Sequence, residues 1–231
     1  MCKVSYFCKS LYLVNMLSNE IIAAIRKDYT LKEFDETHIL SNPMEQFKHW
    51  FKEAIDAEVN EPNAMSLATI KHDGKPSMRI VLLKGIQDNG FVFYTNYNSN
   101  KGKQMNENKQ AALLFFWPEL QRQVRIEGTV SKISEKESDA YFASRPTESQ
   151  IGAHASPQSE PISGREVLEQ NFEKFKILFE STPIVRPIHW GGYIIEPQSI
   201  EFWQGRASRL HDRFLFSKTN TLDWTHTRLA P

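Results

Sequence analysis

Eleven residues near the C-terminus, Trp203-Gln-Gly-Arg-Ala-Ser-Arg-Leu-His-Asp-Arg213, hold three arginines, a histidine, an aspartate, an indole and a glycine. Apolar runs lead in (Ser199-Ile-Glu-Phe202) and out (Phe214-Leu-Phe216). Ordering so much charge between apolar runs is costly unless an anion receives it. Guanidinium groups recognise phosphate or carboxylate with a planar fork and stay charged in any pocket. Arg209 and His211 are two residues apart and share a face if the segment is extended. That face then carries a fixed cation beside a group that titrates near neutrality. An exposed hairpin with solvated charges fits the same composition, because charge-rich segments mark sites only as a statistical tendency.

Three further stretches carry usable chemistry. Arg79 and Lys84 flank the apolar Ile80-Val-Leu-Leu83, consistent with a strand whose two ends approach an anion; cations snorkelling from the ends of a buried strand read the same way. Tyr94-Thr-Asn-Tyr-Asn-Ser-Asn-Lys-Gly-Lys103 follows a strand and is dense in hydroxyl, amide and ammonium donors. Such a loop can cradle a phosphate, although it is neither a Walker motif nor a dinucleotide fingerprint. Tyr141, Arg145 and Ser149 straddle the end of a helix that Arg145-Pro146 stops. Tyr141 and Arg145 are four apart and share a helical face, as would a cation that merely stabilises a helix C-terminus.

The elements that must position these residues are mostly strands. Met65–Ile70, Met78–Leu83, Phe91–Thr95, Ala111–Trp117 and Val124–Val130 are rich in branched and aromatic residues, with Asp73-Gly74 and Asn89-Gly90 as hairpin turns. His189–Ile195, Ile200–Gln204, Leu210–Phe216 and Leu222–Thr227 extend the set. Such an antiparallel meander closes most readily into a small barrel, which removes exposed edges. Helices flank it, giving a mainly β, α+β class. They are expected over residues 18–28, from the Asn42 cap through about Val59, over 134–144, and from Ser163 with a core-facing stripe of Leu168, Phe172, Phe175 and Phe179. Gln150 to Ile162 reads as a polar loop.

Length and composition bound the rest. The 231 residues are 40% hydrophobic and 24% charged, ordinary values for one large β-rich domain over residues 18–231. The formal net charge of zero gives no bulk electrostatic reason to expect nucleic acid or an acidic membrane as partner. Cys2 and Cys8 lack companions at metal-ligand spacing, so no metal site or disulfide framework is expected. Residues 1–17 are too short and too interrupted for a membrane span or a signal peptide. They read as a disordered leader or as a start placed too early, with Met16 the true beginning, in a cytoplasmic protein.

Taken together, several segments resemble the pyridoxamine (pyridoxine) 5′-phosphate oxidase family. They are Arg79-Ile-Val-Leu-Leu-Lys84, Phe93-Tyr-Thr-Asn96, Arg122-Gln-Val124, Ser144-Arg-Pro146, Ser149-Gln-Ile-Gly152, Trp190-Gly-Gly192, Ile200-Glu-Phe-Trp-Gln-Gly205, Arg209-Leu-His-Asp-Arg213 and Arg228-Leu-Ala-Pro231. Each is short; their order and spacing carry the resemblance, which runs from about Arg26 to Pro231. It implies an FMN-binding split β-barrel working as a homodimer, with FMN sites at the subunit interface. The implied activity is oxidation of pyridoxamine and pyridoxine 5′-phosphates to pyridoxal 5′-phosphate in vitamin B6 biosynthesis and salvage. O2 is the acceptor, giving H2O2, and the amine also yields NH3.

By position, the resemblance puts flavin binding on Arg79, Ile80, Val81, Leu82, Leu83, Lys84, Tyr94, Thr95, Asn100, Lys101, Gln123, Gln158, Ser159, Trp203 and Arg213. Substrate binding falls on Lys84, Tyr141, Arg145, Ser149, Arg209, Leu210 and His211, with Arg26, Lys27, Asp28 and Tyr29 in a segment that closes over the site. Arg209 and His211 are the implied catalytic pair. One departure stands out: Asn100 replaces the family's usual arginine, which removes a charge near the flavin phosphate. A flavin- or pyridoxal-phosphate-binding split-barrel protein without oxidase activity is the alternative, because a fold does not fix a function.

Overall fold

The computed structural model of the chain describes residues 19–25, 28–219 and 223–231. Nine strands form one antiparallel sheet: β1 (Ala64–Ile70), β2 (Pro76–Leu82), β3 (Gly85–Gln87), β4 (Gly90–Asn96), β5 (Gln110–Trp117), β6 (Arg122–Lys132), β7 (Trp190–Gln204), β8 (Asp212–Lys218) and β9 (Trp224–Arg228). The helices are α1 (Asn19–Ala24), α2 (Pro43–Asp56), α3 (Asn100–Glu107), α4 (Glu135–Ser144), α5 (Thr147–Ala155) and α6 (Arg165–Ser181).

The fifteen-residue β7 makes this a split barrel. One edge pairs with β6 along its length, across an irregularity at Glu127/Gly128. The other edge forks: Trp190–Ile195 pairs with β4, and Ser199–Gln204 pairs with β8. A bulge bends its strand and increases local twist, so the two halves of β7 serve different walls. Two separate strands over 189–195 and 200–204 were expected; one continuous strand is found, because Pro197 lies at the irregularity and interrupts neither wall.

Alternation along the strands sends Leu67, Leu113, Phe115, Val124, Ile126, Phe202, Phe214 and Phe216 inward, all fully or nearly fully buried. Helix α2 packs on this core. Asn42 caps it by accepting from the Met44 N–H at 2.8 Å, Pro43 starts it, and Phe47 and Trp50 are driven into the barrel. Trp50 meets Phe34 and Phe202 edge-on at 4.9 and 5.2 Å. Burying each such ring stabilises by about 1.5–3 kcal/mol.

Other expectations change. The polar stretches containing Asn100 and Gln150 form α3 and α5 instead of loops, and β3 is an added short strand. No residue of α6 is buried; its expected core stripe instead meets α5, with Phe175 and Phe179 at 5.4 and 4.9 Å from the His154 ring. Strand β2 is not buried on both faces either: Met78 and Ile80 are more than half exposed. They share an outward apolar face with Leu82, Leu114 and Phe116. Apolar pattern shows which residues need cover, but not that the same chain supplies it.

Helix α4 bears on the site because it carries Tyr141. A reciprocal cap holds its start: the Glu137 N–H donates to Ser134 Oγ, and Glu137 Oε2 accepts from the Ser134 N–H and hydroxyl. Ser134→Ala is expected to cost about 1 kcal/mol, read as a lower urea midpoint. An unmoved midpoint would show that the cap contributes nothing.

Candidate active site

Arg145 ends α4 in extended conformation (φ −74, ψ 151), as a residue before proline must. Its guanidinium therefore leaves the helix and lies over the Trp190 ring at 4.6 Å. Tyr94, Tyr141 and Trp190 form a nearly parallel stack, with Tyr94 and Tyr141 3.7 Å apart and Trp190 5.6 Å from Tyr94. These rings wall a cleft of about 510 Å³ that Ile80, Val81, Leu82, Lys84, Thr95, Lys101, Arg145, Ser149 and Gln158 also line. Burial pushes the Tyr94 hydroxyl up to about 12, and that of Tyr141 up as well, so both remain protonated donors.

At the other end of this cleft, Ser99 caps α3 and Lys101 folds back over it. Lys101 Nζ donates to Thr95 Oγ1 at 3.0 Å, to Ser99 Oγ at 3.3 Å and to Gln158 Oε1 at 3.3 Å. Gly102 permits this start: a Cβ there would lie 2.2 Å from the Tyr97 carbonyl oxygen. Arg79, on the inward face of β2, donates to the Leu67 carbonyl, Thr69 Oγ1, Ser77 Oγ and Gln104 Oε1. Burial and the neighbouring Arg79 pull the Lys101 ammonium down to about 8.

The charge balance of this cleft decides what it can hold. No aspartate or glutamate lines it, while Lys84, Lys101 and Arg145 do. Among the described residues, none of these three, nor Arg79, has a carboxylate at ion-pair distance. Arg145 Nη1 is buried and has no hydrogen-bond partner. A buried, unpaired charged donor costs free energy that an anionic acceptor would recover.

Arg209 and His211 lie in a different cleft of about 610 Å³, lined with Asp28, Tyr29, Arg206 and Ser208. They share it for a reason other than strand alternation. Residues Ala207–Arg209 form a tight turn with Ser208 and Arg209 both left-handed (φ 56 and 62), and β8 begins only at Asp212. His211 Nδ1 accepts the Arg206 main-chain N–H at 3.1 Å, so the neutral ring carries its proton on Nε2. Burial and then Arg209 hold its pKa below the usual histidine value, which favours that neutral form. Tyr29 and Trp203 pack on the ring at 5.9 and 4.6 Å.

The remaining residues named from the sequence are dispersed. Gln123, Trp203 and Arg213 form a cross-strand row on the outward sheet face, next to Phe116. Arg213 Nε is paired there with Glu201 at 2.8 Å. Leu83 is in the core, Leu210 is 70% exposed, and Asn100 and Ser159 are exposed at the mouth of α3 and beyond α5. Arg26 and Lys27 lie outside the described residues, as do Cys2, Cys8 and the expected leader. Two neighbours were not singled out as site residues from sequence: Trp190, legible only as part of a Trp-Gly-Gly motif, and Arg206, whose backbone fixes the His211 tautomer. No helix among the described residues is long and apolar enough to cross a membrane.

The architecture is an antiparallel split barrel, and its 510 Å³ cleft is lined by cations and by no carboxylate. A solved relative of this fold, a pyridoxamine 5′-phosphate oxidase-related FMN-binding protein from Nostoc punctiforme, superposes with a TM-score of 0.67 at 17% identity, over 82% of this chain and 98% of that one. The profile described as pyridoxamine 5′-phosphate oxidase matches residues 51–179, and that described as the pyridoxine 5′-phosphate oxidase C-terminal dimerisation region matches 190–231. The chain belongs to the pyridoxamine 5′-phosphate oxidase family. It is 55% identical to the pyridoxine/pyridoxamine 5′-phosphate oxidase of Trichormus variabilis, over 91% of this chain and 98% of that one. It is 54% identical to that of Cupriavidus necator, over 91% and 99%. PhzG from Burkholderia lata, solved with tetrahydrophenazine-1-carboxylic acid, is 32% identical with a TM-score of 0.82, over 87% of this chain and 99% of that one.

Proposed function

We propose that the protein is an FMN-dependent oxidase that converts pyridoxamine and pyridoxine 5′-phosphates to pyridoxal 5′-phosphate, passing electrons to O2 with release of H2O2, and of NH3 from the amine. The observation that carries this reading is the unpartnered, buried Arg145 Nη1 in a cleft lined by cations and no carboxylate. Lys84, Tyr141, Arg145 and Ser149 hold the substrate phosphate through charged and neutral donors. Lys101, Arg79, Thr95 and Gln158, with the start of α3, hold the flavin phosphate. Bound FMN supplies the two-electron acceptor that no side chain offers; the protein binds, orients and tunes.

The family's C-terminal dimerisation region and the exposed apolar face of β2 and β5 support a homodimer. In a two-fold dimer the same patch serves both chains. The partner then brings its Arg209–His211 cleft and its outward row Gln123, Trp203 and Arg213 to the 510 Å³ cleft. Arg209 contributes a fixed cation and His211 a neutral Nε2–H donor beside the pyridine ring. Much closer identity to the B6 oxidases than to PhzG favours a B6 substrate over a phenazine-like one.

Purified protein should be yellow and should bleach anaerobically when pyridoxamine 5′-phosphate is added. A colourless protein, or flavin left oxidised by both substrates, rules the oxidase out, and the second outcome leaves the non-catalytic binder. Lys101 also sets a pH dependence. Its ammonium, pulled down to about 8, is lost as pH rises, and with it a phosphate contact. FMN affinity is expected to fall by about tenfold between pH 7 and 9.5, the scale of one charged hydrogen bond, followed by flavin fluorescence on release. A flat profile removes Lys101 from the phosphate site.

A further inference from the structure

Asp212 follows His211 directly and joins the loop before it and the C-terminal Arg228 to the distant stretch around Phe34. Its carboxylate, 13% exposed, accepts from the Phe34 main-chain N–H at 3.1 Å, from Arg206 Nη1 at 3.1 Å and from Arg228 Nη1 at 2.8 Å. Both guanidiniums then reach back to the same N-terminal stretch. Arg206 Nη2 donates to Glu33 at 2.7 Å, and Arg228 grips Glu36 through Nε and Nη2 at 2.7 and 2.9 Å. Residues 33–36 are thus held from both sides, and between those pairs Phe34 sinks into the core against Trp50 and Phe214.

Upstream of this anchor the chain becomes a wall of the Arg209–His211 cleft. Tyr29 stands edge-on to Trp203 at 5.8 Å and packs on Gly205, where a Cβ would come within 2.8 Å of its ring. Arg206, the residue after that glycine, gives its N–H to His211 and its guanidinium to Asp212. One carboxylate therefore bonds to the loop that orients His211 and to the root of the strap that carries Tyr29. A buried carboxylate with three donors is costly to disturb, because the Phe34 N–H loses its acceptor and the two guanidiniums keep only the exposed Glu33 and Glu36.

Building on the oxidase reading, we infer that Asp212 is a positioning residue: it locks the strap over residues 28–36 to the loop over 205–211, so that Tyr29 and His211 reach the substrate as one rigid unit. It touches neither ligand and acts through Arg206 and Phe34. Its removal loosens two cleft walls together while leaving the flavin-phosphate end of the other cleft intact.

The test compares flavin-loaded wild type, Asp212→Asn and Arg206→Gln. It measures bound flavin per chain, kcat and KM for pyridoxamine 5′-phosphate, and amide hydrogen exchange in a peptide covering residues 28–36. Asp212→Asn is expected to keep its flavin, lose about tenfold in kcat through misplacement, and exchange about tenfold faster in that peptide. Arg206→Gln, which leaves Asp212 and two of its donors in place, should show both effects more weakly. A folded, yellow Asp212→Asn with wild-type kcat overturns the inference, as does unchanged exchange. If Asp212→Asn does not fold, Arg206→Gln decides alone, and wild-type behaviour in it is fatal. Wild-type protein that binds flavin but does not turn over sinks the oxidase reading instead, and the exchange data then judge the strap independently.

Discussion

Arg145→Ala raises KM for pyridoxamine 5′-phosphate by about 10- to 100-fold, with flavin content unchanged and kcat much less affected. The size follows from the state of the guanidinium in the free protein. Nη1 is already out of water and has no acceptor, so its desolvation is not charged again when the phosphate arrives. Burial lowers its pKa, yet an arginine stays cationic at any working pH. A charged hydrogen bond contributes about 1.5–3 kcal/mol, and each 1.4 kcal/mol is tenfold in affinity. Trp190 holds the planar group in place, so Arg145→Lys should recover only part of the loss, keeping the charge but not the fork. Steady-state kinetics on the three proteins decides it. An unchanged KM in Arg145→Ala takes Arg145 out of the phosphate site.

Arg209→Ala and His211→Ala act on the other parameter. Each is expected to lower kcat by about 100-fold, the cost of losing precise placement of the reacting groups, while FMN stays bound. Both residues are held firmly. Arg209 sits in a left-handed conformation that costs of order 1–3 kcal/mol and persists only because its surroundings over-determine it. His211 is fixed by the Arg206 N–H and by Tyr29 and Trp203.

Mixing chains gives a sharper readout. At substrate well below the raised KM of Arg145→Ala, an Arg145→Ala chain and a His211→Ala chain each turn over very slowly. If each site takes Arg145 from one chain and His211 from the other, a mixed dimer regains one intact site. Random reassortment then restores about a quarter of wild-type activity, since half the dimers are mixed and each has one good site of two. If both residues served a site within their own chain, mixing would restore nothing.

Much of the sheet was legible from local pattern. Asp73-Gly74 and Asn89-Gly90 mark hairpins, and alternation from Met65 to Val130 separates inward from outward residues, because side-chain direction in a strand follows from chain geometry alone. The capped starts at Asn42 and Ser134 were legible for the same local reason. The polar helices α3 and α5 were not: their sequences lack an apolar stripe, and contacts such as Gly102 against Tyr97 hold α3 in place.

The residue types of the site were likewise written into the chain, since arginine, lysine, hydroxyl and amide donors without carboxylates are the set that suits an anion. How they are grouped was decided by the tertiary structure. The fork of β7 and the left-handed turn at Ser208 separate Arg145 and His211 into two clefts, and the outward turn of β2 leaves Met78 and Ile80 uncovered. Those outcomes depend on contacts between residues far apart in the chain, whose geometry no local spacing encodes.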